Sequence, residues 1–138
     1  LFAVLTYNGF QPDENINFDN QTDSGNPISS LNLQRVYVLT TANTASASEL
    51  VINALNPYID VIQIGTNTAG KYQGSLTVYD SQNLTKNGPE FNLGHFYALQ
   101  PLISETENSL GFTGFDNGLT PDIEQNENLM NLGILKLN

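Results

Sequence analysis

The chain has 138 residues, enough for one domain with its own core, and no apolar run is long enough to span a membrane. Its 14 acidic residues face only 4 basic ones, and a formal net charge of -10 argues against nucleic acid or an anionic membrane surface as a partner. The absence of cysteine excludes disulfides, thiolate metal sites and a cysteine nucleophile.

The first part of the chain is predicted to be one strand followed by a long loop. Residues 1–7 are mostly apolar, whereas residues 8–30 are polar, contain Gly and Pro, and show no helical period. The loop carries four acids that could be interpreted as calcium ligands, namely Asp13, Glu14, Asp19 and Asp23. Their spacing matches no EF-hand, so we predict a solvated surface loop.

The middle of the chain carries the clearest pattern. Residues 35–40 form a short β-branched run typical of a buried strand, and residues 60–65 form a second one. Between them, apolar residues recur at helical spacing from Ser46 until Pro57 ends the helix. Strand, helix and strand in this order predict a βαβ unit with parallel strands and a right-handed crossover.

The second half is predicted to be rich in β-structure. In chain order we predict a strand at 75–80, a turn at 83–92, a strand at 96–103, a loop at 111–122 and an apolar segment of undetermined type at 129–137. Pro101 indicates that the second of these strands lies at a sheet edge. The chain shows no repeat and no linker, so residues 1–138 are treated as one unit.

A serine lies where the first strand of the βαβ unit turns into the helix, in Thr44-Ala-Ser-Ala-Ser-Glu49. The small neighbours of Ser46 allow a tight turn, and the helix N-terminus favours developing negative charge beside the hydroxyl. The amide of Ala47 would then supply one half of an oxyanion hole. The same residues also fit a capping box, in which Ser46 caps the helix and Glu49 reaches back.

A lysine follows the second strand of the unit. Consecutive parallel strands end at the same edge of a sheet, so Lys71 is predicted to lie near Ser46. A desolvated lysine can accept the proton of a serine, although an ordinary exposed loop lysine is the alternative. His95, the single histidine, could in principle act as the base instead, but no acid stands at a suggestive spacing from it.

These residues resemble a known family, the C-terminal processing or tail-specific serine peptidases. The resemblance rests on Thr44–Glu49 with the helix after it, on Ile64-Gly-Thr-Asn-Thr-Ala-Gly-Lys71, and on Gly118-Leu-Thr-Pro-Asp122. It implies an α/β fold of the crotonase-like (ClpP-like) type, with Ser46 as nucleophile, Lys71 as general base and Ala47 as an oxyanion donor. It implies no cofactor and no metal, and a polypeptide substrate with a free C-terminus.

The chain also departs from the family pattern. Thr66 and Asn67 stand where the family has Glu and commonly Pro, and Ser75 stands where many members have a glutamine that orients the lysine. The family's Asp-Leu-Arg-x-Asn-x-Gly-Gly segment, whose glycine amide completes the oxyanion hole, has no clear counterpart here. We therefore expect residues 1–138 to be the C-terminal portion of a catalytic domain, without the oxyanion segment or any PDZ domain.

The expected function is that of a serine endopeptidase with a Ser–Lys dyad, which needs the rest of its parent chain and is inactive as the isolated piece. One alternative is a non-catalytic relative of the same fold that binds a peptide or another ligand. Another is an acidic, β-rich envelope module in which the serine motif only caps a helix. The low charge content and the many Asn, Gln, Ser and Thr residues suit a periplasmic, cell-envelope or secreted protein.

Overall fold

This computed structural model describes residues 1–126, which contain nine short strands and one helix. In chain order they are β1 (Ala3–Tyr7), β2 (Glu14–Ile16), β3 (Arg35–Thr40), α1 (Ala47–Leu55), β4 (Asp60–Gly65), β5 (Gln73–Ser75), β6 (Val78–Tyr79), β7 (Ala98–Leu99), β8 (Leu102–Asn108) and β9 (Ile123–Glu124). The apolar segment predicted at 129–137 lies outside the described residues.

The two strands on either side of α1 lie side by side. β3 pairs with β4 in parallel, in a register that runs from Arg35 opposite Asp60 to Thr40 opposite Gly65. The predicted parallel pairing of these two segments is therefore confirmed. β9 joins the other side of β4, also in parallel, and completes a three-stranded sheet in the order β3-β4-β9.

A second, four-stranded antiparallel sheet has the order β2-β1-β8-β5. β2 lies within residues 8–30, where only a loop was predicted. The prediction missed this strand because three residues are too few to show an alternating pattern, and β2 is defined by its pairing with β1. The strand predicted at 75–80 is divided into the end of β5 and β6, with a register shift between Gly74 and Ser75.

The strand predicted at 96–103 is likewise divided. β7 ends before Gln100, and β8 begins after Pro101, which has no N–H for a ladder hydrogen bond. β8 then continues to Asn108, beyond the predicted end. β6 and β7 pair with each other as a separate two-stranded sheet.

The interior is small and partly polar. The buried hydrophobic residues of the described part are Ala3, Ile52, Ala54, Tyr72 and Phe115. The largest fully buried side chains are nevertheless Glu49 and Asn53, both on α1. The Asn108 amide donates to the Asn53 side-chain oxygen at 3.0 Å, which ties the helix to the end of β8. Hydrogen bonding, as well as apolar contact, therefore holds α1 in place.

One face of β3 is apolar and uncovered by residues 1–126. Tyr37 and Leu39, two positions apart and thus on one side of the strand, keep 65% and 69% of their surface exposed. β3 is also an edge strand among the described residues, with β4 as its single neighbour. Within the same part of the chain, no helix is long and apolar enough to cross a membrane.

Candidate active site

Ser46 forms a strained turn between β3 and α1. It is the N-cap of the helix, with φ 56° and ψ -113°, a conformation that a residue with a side chain rarely adopts. Such a residue costs about 1–3 kcal/mol and persists only where its surroundings fix it. Here its N–H donates to Oε2 of Glu49 at 2.9 Å, and its carbonyl accepts from Leu50 N–H at 2.8 Å.

The capping arrangement leaves the serine hydroxyl available. Ser46 and Glu49 form a capping box in which the Ser46 side chain faces the Glu49 N–H, but no hydrogen bond of normal length and angle forms between those two groups. Ser46 is also exposed. The two interpretations of this motif are therefore compatible, because the glutamate secures the turn while the hydroxyl remains open to solvent.

Lys71 lies at the same edge of the sheet, at the end of the lysine loop (residues 66–71) that follows β4. This loop is bonded directly to the turn before Ser46, since Ala69 N–H donates to the Thr44 carbonyl at 2.8 Å. Ser46 and Lys71 line one cavity of about 160 Å³. The other residues that line it are Ala47, Leu50, Tyr72, Gln73, Gly74 and Thr106.

Two features of this cavity bear on its chemistry. The N–H of Ala47 takes part in no hydrogen bond among residues 1–126, so it is free to bind an oxygen that enters the cavity. The Lys71 residue is exposed, and no hydrogen bond within the described part joins its side chain to Ser46. The small neighbours of Lys71 suggested a desolvated amine, but residues 1–126 do not bury it.

Glu49 does not line the cavity, but its carboxylate accepts hydrogen bonds from two residues that do, Ser46 and Lys71. Its side chain is completely buried, and it accepts four hydrogen bonds. Oε2 accepts from the N–H groups of Ser46 and Lys71 at 2.9 and 2.8 Å, and Oε1 accepts from Gly70 N–H at 2.7 Å and from the Thr68 hydroxyl. Burial raises the pKa of this carboxyl, but the bonds from Thr68 and the three amides outweigh it and hold the pKa below its ordinary value.

The glycine loop (residues 111–122) supports the lysine loop from the other side. Thr68 Oγ1 accepts from Leu119 N–H at 2.7 Å. Gly118 has a φ of 80°, and a Cβ there would overlap the Thr68 carbonyl oxygen and lie 2.6 Å from its carbon. Asp122, three residues beyond Leu119, accepts the Gln63 N–H at 2.7 Å. Within the Gly118–Asp122 motif, Gly118 and Leu119 therefore support the lysine loop, and Asp122 supports β4.

Sequence reasoning missed one residue that lines this cavity. Ser75 stands where many family members have a glutamine that orients the lysine, but its hydroxyl accepts from the Gln100 amide at 3.0 Å. Gln73 lines the cavity with Lys71 instead. The register shift between Gly74 and Ser75 interrupts the alternation along β5, so the spacing from Lys71 gave no signal for Gln73.

His95 belongs to a different cavity in the described part of the chain. Its Nε2 lies 3.1 Å from Oδ2 of Asp80, so it does have a carboxylate partner that the sequence did not suggest. Hydrogen bonds from Asn92 and His95 hold the pKa of Asp80 below its ordinary value. The cavity lined by His95 has a volume of about 350 Å³ and does not include Ser46 or Lys71.

The chain is similar to known proteins of one peptidase family. The sequence model of Peptidase family S41 matches residues 3–125. A solved structure assigned as an S41 protease, from Bacteroides fragilis NCTC 9343, has 30% sequence identity and a TM-score of 0.69 over 91% of this chain. The photosystem II D1 C-terminal processing protease has 24% identity and a TM-score of 0.48 over 74% of this chain. The chain spans 29% and 22% of the lengths of these two proteins. No curated protein matches the chain.

Proposed function

The chain belongs to peptidase family S41, and on that premise we propose that it is the C-terminal portion of the catalytic domain of a serine endopeptidase of the C-terminal processing type. Ser46 is the nucleophile and Lys71 the general base. The observation that carries this proposal is the shared cavity, in which the open Ser46 hydroxyl, the free Ala47 N–H and Lys71 meet at one sheet edge.

The chemistry follows from these three groups. The neutral amine of Lys71 takes the proton of the Ser46 hydroxyl while Oγ attacks the carbonyl carbon of a peptide bond. The oxyanion that forms accepts a hydrogen bond from the Ala47 N–H at the positive end of α1. The protonated lysine gives its proton to the leaving amine, and the C–N bond breaks. Water then hydrolyses the acyl-enzyme, with Lys71 again acting as the base.

The general base requires an environment that residues 1–126 do not provide. A lysine is neutral near pH 7 only when its charged form is disfavoured, as by burial. Because Lys71 is exposed here, we propose that the remainder of the parent protein, or the bound substrate, covers it. The isolated piece is accordingly expected to be inactive.

The second oxyanion donor is proposed to come from the same remainder. In a crotonase-like (ClpP-like) arrangement, an upstream strand would pair with the free edge of β3, where the chain turns into Ser46. The position of β3 at the edge of its sheet supports this pairing. The uncovered apolar residues Tyr37 and Leu39 separately support a further layer of the parent protein packed on the face of β3. Loss of one oxyanion donor typically lowers the rate by about 100- to 1000-fold.

The substrate is proposed to be an extended polypeptide with a free C-terminus, bound as an added strand. No cofactor is needed for the steps described. The abundance of uncharged polar residues and the acidic balance suit a periplasmic, cell-envelope or secreted location, and the net charge of -10 disfavours nucleic acid as a partner.

A non-catalytic relative that binds peptide is the second candidate. The exposure of Lys71 and the engagement of Ser75 by Gln100 favour it, since neither supports an oriented, neutral lysine. The open Ser46 hydroxyl and the free Ala47 N–H favour the enzyme, because a peptide-binding site requires neither. Covalent labelling of the serine separates the two candidates.

The test uses the complete protein and a fluorophosphonate probe. The proposal predicts labelling of the wild type, no labelling of Ser46→Ala, and a loss of at least about 1000-fold in turnover for both Ser46→Ala and Lys71→Ala. Lys86→Ala is the matched control, since Lys86 is an exposed turn lysine outside the cavity. Equal labelling of wild type and Ser46→Ala, or full turnover by either site variant, would refute the enzyme assignment.

A further inference from the structure

We propose that Glu49 is the positioning residue of this site, in that its carboxylate holds the Ser46 backbone and the lysine loop in one fixed arrangement. This inference rests on the proposed function, because it concerns how the proposed nucleophile and base are placed. Glu49 itself does not line the cavity, so its role is not that of a catalytic residue.

The geometry centres on one oxygen atom. Oε2 of Glu49 accepts hydrogen bonds from Ser46 N–H at 2.9 Å and from Lys71 N–H at 2.8 Å. A single atom thereby joins the backbone of the nucleophile to the backbone of the base, which lies 22 positions beyond Glu49 in the sequence. A shift of either segment lengthens one of these two bonds, so the carboxylate sets their separation.

The second oxygen extends the connection into the glycine loop. Oε1 accepts from Gly70 N–H at 2.7 Å and from the Thr68 hydroxyl, which in turn accepts from Leu119 N–H at 2.7 Å. The carboxylate thus joins the serine turn directly to the lysine loop, and through Thr68 to the segment that supports that loop.

The donor set requires a carboxylate at this position. Four donors converge on two oxygen atoms in a completely buried place, and an ionised carboxylate is acceptor-only on both. A glutamine has one acceptor oxygen, and its NH₂ group would face two donors that have no other acceptor. No basic side chain in the described part forms an ion pair with Glu49, so the converging amide dipoles and the N-terminus of α1 stabilise its charge.

Replacing Glu49 should slow the chemical step of the proposed reaction. Ser46 has a strained backbone, which its N–H bond to Glu49 helps to maintain. Without that bond the turn can relax and displace Oγ, and a misplacement of about 1 Å costs on the order of 100-fold in rate. Glu49 is completely buried and touches no ligand, so its replacement should lower kcat while KM stays nearly unchanged.

The experiment compares Glu49→Gln with Asp122→Asn in the complete protein. Asp122 is the matched control, because its carboxylate also accepts a backbone N–H, from Gln63, but does not contact the serine turn or the lysine loop. For Glu49→Gln we expect about 100-fold slower fluorophosphonate labelling of Ser46 and a similar fall in kcat, with KM within about twofold. For Asp122→Asn we expect wild-type labelling below its unfolding temperature.

A second pair of variants decides the matter if Glu49→Gln does not fold. Thr68→Val removes one donor to the carboxylate, whereas Thr68→Ser keeps the hydroxyl. We expect labelling to slow at least about tenfold in Thr68→Val relative to Thr68→Ser. Equal labelling of that pair, wild-type kcat in folded Glu49→Gln, or a rise in KM with unchanged kcat would each overturn the inference. If the wild type is not labelled at Ser46 at all, the proposed function itself fails.

Discussion

Replacing Gly118 with alanine should destabilise the protein far more than the same change at Gly114. Both glycines lie in the glycine loop with a positive φ, 80° and 75°, so alanine is strained to a similar extent at either position. A Cβ at Gly118 would overlap the Thr68 carbonyl, whereas a Cβ at Gly114 has no atom within 4 Å. The pair therefore separates the cost of the backbone conformation from the cost of the close approach.

The magnitudes follow from these two contributions. A residue with a side chain in the left-handed region costs about 1–2 kcal/mol. Forcing packed atoms apart adds about 1–3 kcal/mol, and here the obstacle is backbone, which cannot rotate away as a side chain could. We expect a loss of about 1–2 kcal/mol for Gly114→Ala and about 2–5 kcal/mol for Gly118→Ala.

Urea denaturation of the complete protein at 25 °C measures both losses. The midpoint shift, at unchanged slope, gives the change in the free energy of unfolding. Because the obstructed carbonyl belongs to Thr68, Gly118→Ala should also slow the labelling of Ser46 under conditions where it is folded, and Gly114→Ala should not. Equal destabilisation by the two substitutions would refute the packing argument.

Three further predictions concern charged and titratable groups. Because the pKa of Glu49 is lower in the folded protein than the value of about 4.3 in an unfolded chain, its contribution to stability is complete above that value and is lost as the pH falls through the folded pKa. Unfolding free energy measured from pH 7 to pH 3 should therefore fall less steeply in Glu49→Gln than in the wild type, and parallel curves would contradict this. The side chains of Arg35 and Asp60 lie 2.7 Å apart and are 51% and 61% exposed, so a double-mutant cycle should give a coupling that shrinks as salt is added; a coupling that is the same at low and high salt would exclude this interpretation. His95→Ala should leave the labelling of Ser46 within about twofold of wild type, since His95 lines another cavity, and a loss comparable to that of Lys71→Ala would return it to the list of candidate bases.

The fold could be predicted from the sequence where the local pattern was strong. Residues 35–40 and 60–65 are the observed strands, and the helix starts directly after Ser46. The shorter strands could not be predicted, because two or three residues carry no period and their conformation depends on the partner strand. β2 is one such short strand, and β7, which ends where the predicted strand at 96–103 is divided, is another. Pro101 indicated a sheet edge but not the position at which the predicted strand is interrupted.

The site could be predicted only as far as topology reaches. Parallel strands that end at one edge were enough to place Ser46 and Lys71 at the same cavity. The exposure of Lys71 was not predicted, because burial depends on what packs over a loop and not on the size of its neighbours in sequence. The capping box indicated the contact of Glu49 with Ser46, but the bonds to the lysine loop involve backbone groups, which carry no sequence signature.

The pairing of β1 with β8 has a consequence for how this chain folds. Its contacts join residues such as Thr6 and Glu105, which are 99 positions apart, whereas the Glu49–Lys71 bond joins residues only 22 positions apart. Local contacts form at a smaller entropic cost than distant ones, and folding slows as the average separation of contacting residues grows. We therefore expect the segment from β3 to Lys71 to gain its structure early, and the docking of β1 onto β8 to limit the overall folding rate.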